Sequence, residues 1–356
     1  MNLFADRIPR RIIGVLAPWG VQGNQLHGDA RADGWVRFVR QTREDDGSSR
    51  EQSAAGHAGE TATLTQVDMG NKKLVVNADD LGLAESVNRG IAETIEMGVV
   101  TSASLMVNTP ACDDAIRRLR YLRALGKSVS VGLHFNIVMG PPLSDCSSLV
   151  DERTGEFLPL HSLIWRCVAR KVNLDDVEME LEAQLARARH LLAKINMRVT
   201  HIDSHRHAHV LPGIFELVLR AAREHDITHV RHPYESRPLP RSARGVVASK
   251  LLRTILYKQR PMDDVSFAGI GAMASPTFHR DIAQLLGDLQ PGVTELMVHP
   301  GYDSAELAAV DDYRSARERE VYALISPRLR ERIQELGVEL THFGAVPTTP
   351  STAQTA

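Results

Sequence analysis

Two aspartates, Asp79 and Asp80, stand side by side in "LVVNADDLGL", at the end of a short apolar run. Adjacent carboxylates repel, and burying both costs free energy unless a cation or a shared proton compensates. Four further apolar runs end on side chains able to titrate, ligate or hold charge. His134 follows "VSVGL"; His201, Asp203 and His205 follow "MRVT"; Arg231 and His232 follow "ITHV"; His299 follows "ELMV". Neutral imidazoles with one carboxylate suit a divalent transition metal, and a catalytic site keeps positions open beyond its protein ligands. Asp80, His134 and His205 are able to supply such a set from three strands. Asp79 is then adjacent and free to act as a general base toward water, and the cation removes the repulsion within the pair. His299 is a candidate acid for a leaving group. One base, one acid and one Lewis acid make a hydrolase.

The densest cluster is "HIDSHRHAH", residues 201–209. His201, Asp203, His205, His207 and His209 share one parity, so a continuing strand would align all five. A strand ending near Asp203 is the better expectation, with the rest fanning into a loop before a helix that starts at Pro212. One or two of these histidines then reach the site. Arg231 reads either as a substrate or carboxylate clamp or as an ordinary salt-bridge partner. His225, His229, His232 and His279 read as surface or packing residues. "DDYRSARERE" reads as a solvated helix face.

These residues need elements to hold them. Short apolar runs alternate with helical patterns from "KLVVN" to "VELTHF". Examples are Val87, Ile91 and Ile95 on one face, a helix over 111–125, another over 174–195, and a long charged helix over 313–336. Alternation of this kind argues for parallel strands with crossover helices, about seven or eight units in all. The expected fold is therefore α/β, a distorted, closed or partly closed (β/α) barrel with its site at the C-terminal strand ends. A doubly wound sheet is the runner-up. Residues 69–346 form the expected single domain. Residues 1–68, polar and without periodicity, read as a disordered extension or a start-site artefact, and 347–356 as a disordered tail.

Composition excludes several classes. At 43% hydrophobic and 24% charged the chain is an ordinary globular one, and a net charge of −2 leaves no footprint for nucleic acid. Three scattered cysteines, Cys112, Cys146 and Cys167, give neither a disulfide framework nor a thiolate zinc site. A cytoplasmic setting is the default. No run approaches the roughly 18 apolar residues of a membrane span. Arg7, Arg10 and Arg11 before "IIGVLAPWGV" only loosely resemble a signal peptide.

"VVNADDLGL", "TSASLMVN", "VGLHFNI", "THIDSHRHAHVLPGIF" and "ELMVHPGY" together resemble the YdjC-like carbohydrate deacetylases, a family that includes chitooligosaccharide and hopanoid-associated deacetylases. The resemblance runs from Lys72 to Phe343. It implies a distorted barrel, often dimeric, that removes acetyl groups from N-acetylated amino sugars with one divalent metal. It implies Asp80, His134 and His205 as metal ligands, Asp79 as general base and His299 as general acid, and it is what selects His205 among its neighbours. Zinc fits two histidines and a carboxylate best, with magnesium, manganese, cobalt or nickel as alternatives. Hopanoid-type members tend to carry Asn-Ala where this chain has Asp203-Ser204, which tilts the expected substrate toward a soluble glycan. The alternatives are a lipid-linked amino sugar and a non-catalytic sugar-binding protein on the same barrel. The segments 136–173, with Phe157 and Trp165, and 233–275 are expected to shape the sugar subsites.

Overall fold

The computed structural model describes residues 71–235, 255–256, 259 and 261–346, all within one unit, Met69–Ala356. The expected extension over 1–68, the tail over 347–356 and part of the 233–275 segment lie outside the described residues.

The strands are β1 (Lys72–Leu81), β2 (Ser102–Leu105), β3 (Ser130–Phe135), β4 (Val199–Ser204), β5 (His229–Val230), β6 (Ser266–Ala268), β7 (Gly292–Val298) and β8 (Val338–Thr341). They pair in the order β5-β4-β3-β2-β1-β7-β6, and every pairing is parallel. β1 sits at the centre. Along one side it pairs with β7 over Lys72–Ala78. On the other, its first residues pair with β8 and its last with β2, so β8 wedges in beneath β2. β1 is buried from Leu74 to Leu81, as a strand covered on both faces must be.

The sheet is curled. Arg231, just after β5, reaches Asp79 on β1 and Glu295 on β7, which a flat sheet would hold several strand spacings away. β5 and β6 do not pair with each other, so among the described residues the barrel is incompletely closed. The expected parallel α/β barrel of seven to eight strands is the one observed.

The helices that cover the sheet are α1 (Glu85–Glu96), α2 (Cys112–Ala124), α3 (Leu160–Val168), α4 (Leu174–Ala193), α5 (Ile214–Glu224), α6 (Phe278–Asp288), α7 (Ala305–Val310), α8 (Ser315–Leu324) and α9 (Pro327–Glu335). α1 buries Val87, Ile91 and Ile95, the face read from sequence. α4 opens on Asn173, whose side chain accepts from the Asp175 amide. The long helix expected over 313–336 is two helices. Ser326 is extended and Pro327 begins α9, because proline lacks the amide an uninterrupted helix needs and disfavours a helical residue before it. α5 begins at Ile214 rather than Pro212, after Gly213 at φ +85°. α3 interrupts the long connection expected over 136–173. Phe157 packs into the core there, whereas the Trp165 side chain is exposed. None of the described helices is long and apolar enough to cross a membrane. All three cysteines are free.

Candidate metal centre and its charged surround

In an extended strand Asp79 and Asp80 would face opposite ways. They do not, because Asp80 has φ +68°, a left-handed conformation that Asp tolerates better than most residues. The β1–β2 register slips between Ala78 and Leu81, and Gly82 follows at φ +104°, where an added methyl would meet the Met106 carbonyl at 2.5 Å. This turn brings both carboxylates to the C-terminal end of the barrel, where both are 2% exposed.

Asp80 Oδ1 lies 3.1 Å from His134 Nε2 and 2.8 Å from His205 Nδ1. Asp80, His134 and His205 each offer one ligand-capable atom within 4.8 Å of the other two. His134 stands in β3; His205 opens the short turn after β4. Strain at Arg206 and His207, with φ +55° and +56°, lets the chain turn sharply after His205. The His134 Nδ1–H donates to Asp203 Oδ1 at 2.8 Å, so that in the neutral ring the lone pair is on Nε2, the nitrogen facing Asp80. Burial alone would lower the His134 pKa. The Asp203 carboxylate, bonds to Asp203 and Asp80 and the Asp79 charge outweigh it, pushing the ring up to about 10 without metal. A divalent cation fits this donor set: one carboxylate oxygen and two imidazoles converge, and the tautomer of one is already set. The cluster Asp79, His134 and Asp203 is also close enough. There, however, both carboxylates are already paired with the Arg231 guanidinium, whose charge disfavours a second cation.

Arg231 is fully buried, and each of its three guanidinium nitrogens has a carboxylate partner. Nη1 and Nη2 donate to the two oxygens of Asp79 at 2.6 and 2.7 Å, Nε and Nη2 to Glu295 at 2.9 and 2.6 Å, and Nη2 pairs with Asp203 at 2.7 Å. Asn77 adds a bond to Asp79 at 2.9 Å, and Ser104 one to Asp203 at 2.7 Å. Burial pushes the Asp79 carboxyl up, but Arg231 overrides it and holds the group well below the ordinary carboxylate range. Of the two readings of Arg231, clamp or salt-bridge partner, these contacts favour the salt-bridge partner. The substrate contact loses ground, because no guanidinium nitrogen is left to face solvent.

His299, just past β7, brings Nε2 to 3.9 Å from Asp79 Oδ2. Its backbone amide donates to Glu320, a fully buried carboxylate whose pKa burial pushes up, and the Tyr313 hydroxyl donates to the same group. The Tyr313 ring lies 5.4 Å from the His299 ring. Of the other histidines of the cluster, His201 and His209 are buried and His207 is half-buried. His209 donates Nε2–H to the Arg231 carbonyl at 2.8 Å and its amide to Ser204 at 3.0 Å. His201 and His229 pack on Phe343, and His229 pairs with Asp263. His229 is therefore a buried member of the charged network as well as a packing residue.

Sequence reading left Asn77, Ser104, Glu295, Arg317 and Glu320 without a role. Glu295 carried a signal, a lone carboxylate in the middle of a buried strand. Arg317 sits where a solvated face was expected, yet its side chain is 1% exposed and Nη2 donates to Asp80 Oδ2 at 2.7 Å.

A family model described as YdjC-like protein matches residues 73–335. The chain is 35% identical to a carbohydrate deacetylase of Geobacillus stearothermophilus over 276 residues, covering 76% of this chain and 96% of that one. It is 32% identical to a chitooligosaccharide deacetylase of Yersinia enterocolitica, with 76% and 98% covered. Among solved structures it is similar to a candidate cellobiose-phosphate cleavage protein of Enterococcus faecalis V583, with TM-score 0.59, 26% identity and 77% and 98% covered. With barrel, strand-end cluster and sequence in agreement along most of its length, the chain belongs to the YdjC-like family.

Proposed function

We propose that this chain hydrolyses the N-acetyl group of an acetylated amino sugar or oligosaccharide to acetate and a free amine, with one divalent cation held by Asp80, His134 and His205. The observation that carries the reading is the convergence of two ring nitrogens on Asp80 Oδ1, at 2.8 and 3.1 Å, beside an ionised Asp79. Similarity to proteins named carbohydrate deacetylase and chitooligosaccharide deacetylase supports the substrate class. A bound cation supplies Lewis acidity toward a carbonyl oxygen and makes water more acidic; the donor set suits zinc best.

The chain's own residues do the rest. Asp79 accepts the proton of the attacking water, and Arg231 holds it in place by both oxygens. Asp203 keeps His134 in the tautomer that presents Nε2. His299 protonates the departing sugar nitrogen, so that it leaves as an amine rather than an amide anion. Arg231 acts through Asp79 and not on the sugar. Residues 69–346 form the catalytic unit.

The test is acetate release from N-acetylglucosamine, from its β-linked oligomers and from a lipid-linked acetylated amino sugar, with and without chelator. Release of acetate and amine in equal amounts from a soluble glycan, lost on chelation and restored by zinc, is expected. Release from the lipid-linked substrate alone overturns the soluble-glycan assignment. Stoichiometric metal without hydrolysis of any of them favours a binding protein.

A further inference from the structure

A second cation reaches the carboxylate of the proposed metal centre. Arg317, on α8, donates from Nη2 to Asp80 Oδ2 at 2.7 Å and to Asp311 Oδ2 at 2.6 Å, and from Nε to the Tyr313 carbonyl at 2.7 Å. Nη1 is buried and, among the described residues, has no hydrogen-bond partner. The approach depends on close packing at "HPGY". A methyl group at Gly301 would meet Arg317 Cδ and Val87 at 3.2 Å, and the Gly301 amide donates to the Arg317 carbonyl at 3.3 Å. Asp311 also pairs with Arg206, the residue after His205, at 3.8 Å. A chain of charges thus runs Asp80, Arg317, Asp311, Arg206, from one proposed ligand to the neighbour of another.

A guanidinium beside a cation site acts in two opposite ways. Its charge repels the cation. Its hydrogen bond fixes the carboxylate so that one oxygen alone faces the other ligands, and no ordering cost remains when the cation binds. Asp311 shifts the balance, because its charge offsets that of Arg317 while its bond to Nη2 braces the guanidinium. Burial of all three groups keeps these interactions from being screened by solvent.

We propose that Arg317 is the positioning residue of the metal centre. It engages Asp80 Oδ2 so that Oδ1 alone is presented to the cation, and Asp311 offsets its charge. The inference rests on the reading of Asp80, His134 and His205 as a cation site. The test is zinc affinity by chelator competition in wild type, Arg317→Lys and Asp311→Asn, with cobalt absorption spectra of each. Arg314→Lys, an exposed pair on the neighbouring turn, is the control. Lysine keeps the charge but cannot reproduce the planar fork. Arg317→Lys is expected to weaken zinc binding by about 10- to 100-fold and to shift the cobalt d–d bands. Asp311→Asn weakens binding by a smaller factor, and Arg314→Lys changes neither readout. Wild-type affinity and spectra in both Arg317→Lys and Asp311→Asn overturn the proposal. If Arg317→Lys does not fold, unchanged affinity in Asp311→Asn alone overturns it. A wild-type protein that takes up no zinc overturns the metal reading instead.

Discussion

The guanidinium of Arg231 grips both carboxylate oxygens of Asp79, at 2.6 and 2.7 Å, from the end of a strand four places away in the sheet order. The same group also pairs with Asp203 and Glu295. Three buried carboxylates therefore meet at one guanidinium, which ties β5, at one end of the described sheet, to β1, β4 and β7. Removing one partner of a buried ion pair typically costs about 3–5 kcal/mol, because the remaining charge stays buried. Arg231→Met is expected to lose at least that much in urea unfolding. Arg231→Lys restores part of the stability but not turnover, because an ammonium cannot hold both Asp79 oxygens. A loss under about 1 kcal/mol, the scale of an exposed pair, contradicts the role of Arg231 as a hub.

Asp79 and its neighbours separate chemistry from ligation. Asp79→Asn keeps Asp80, His134 and His205 intact, so metal content stays near wild type while turnover falls about 10²- to 10⁴-fold, the range for a lost general base. His134→Ala and His205→Ala lose metal and turnover together. Metal analysis alongside acetate release checks both. Full activity in Asp79→Asn removes it as the base.

His299 is assigned to the leaving group, and leaving groups differ in their need for a proton. His299→Asn is expected to slow hydrolysis of an N-acetyl sugar by about 10²- to 10⁴-fold. An aryl acetate expels a stable phenolate unaided, so the same variant is expected to hydrolyse it near the wild-type rate. Equal losses on both substrates assign His299 to binding or to water activation instead.

Buried histidines set an acid limit to stability. Burial holds His209 down to about 3 from an ordinary 6.5, and drives His201 and His207 well below that value. A group whose native pKa is depressed gives stability that is complete above its unfolded value and drains as pH falls. The loss therefore begins below 6.5 and continues through about 3 for His209. In chelator, His209→Gln is expected to flatten the dependence of unfolding free energy on pH between those values by about one proton, or about 1.4 kcal/mol per pH unit. An unchanged slope means that His209 is charged in the native state.

What could be read from the sequence was what one strand and its end carry. Apolar runs closed by Asp79-Asp80, His134, His205 and His299 are local patterns, and parallel alternation brings such ends together. The split at Ser326-Pro327 was also local; the proline was present, but the charged periodicity on either side outweighed it. Arg317 was hidden for a different reason. Its neighbours place charges at helical spacing, as a solvated face does, and its partner Asp80 lies 237 residues away. Whether an arginine points to water or into a barrel depends on the packing of Gly301 against α1, which no local pattern reports. Arg231 was legible as a strand-end cation, but the choice between a clamp and a salt-bridge partner needed the curl of the sheet.

The central claim is that hydrolysis depends on a cation held by Asp80, His134 and His205. Titration of metal-stripped protein with zinc, following acetate release from a β-linked N-acetylglucosamine oligomer, tests it most directly. The rate should rise from near zero and break sharply at one equivalent per chain, with no rise in Asp80→Asn. Full activity in the stripped protein, or the same titration curve in Asp80→Asn, would contradict it.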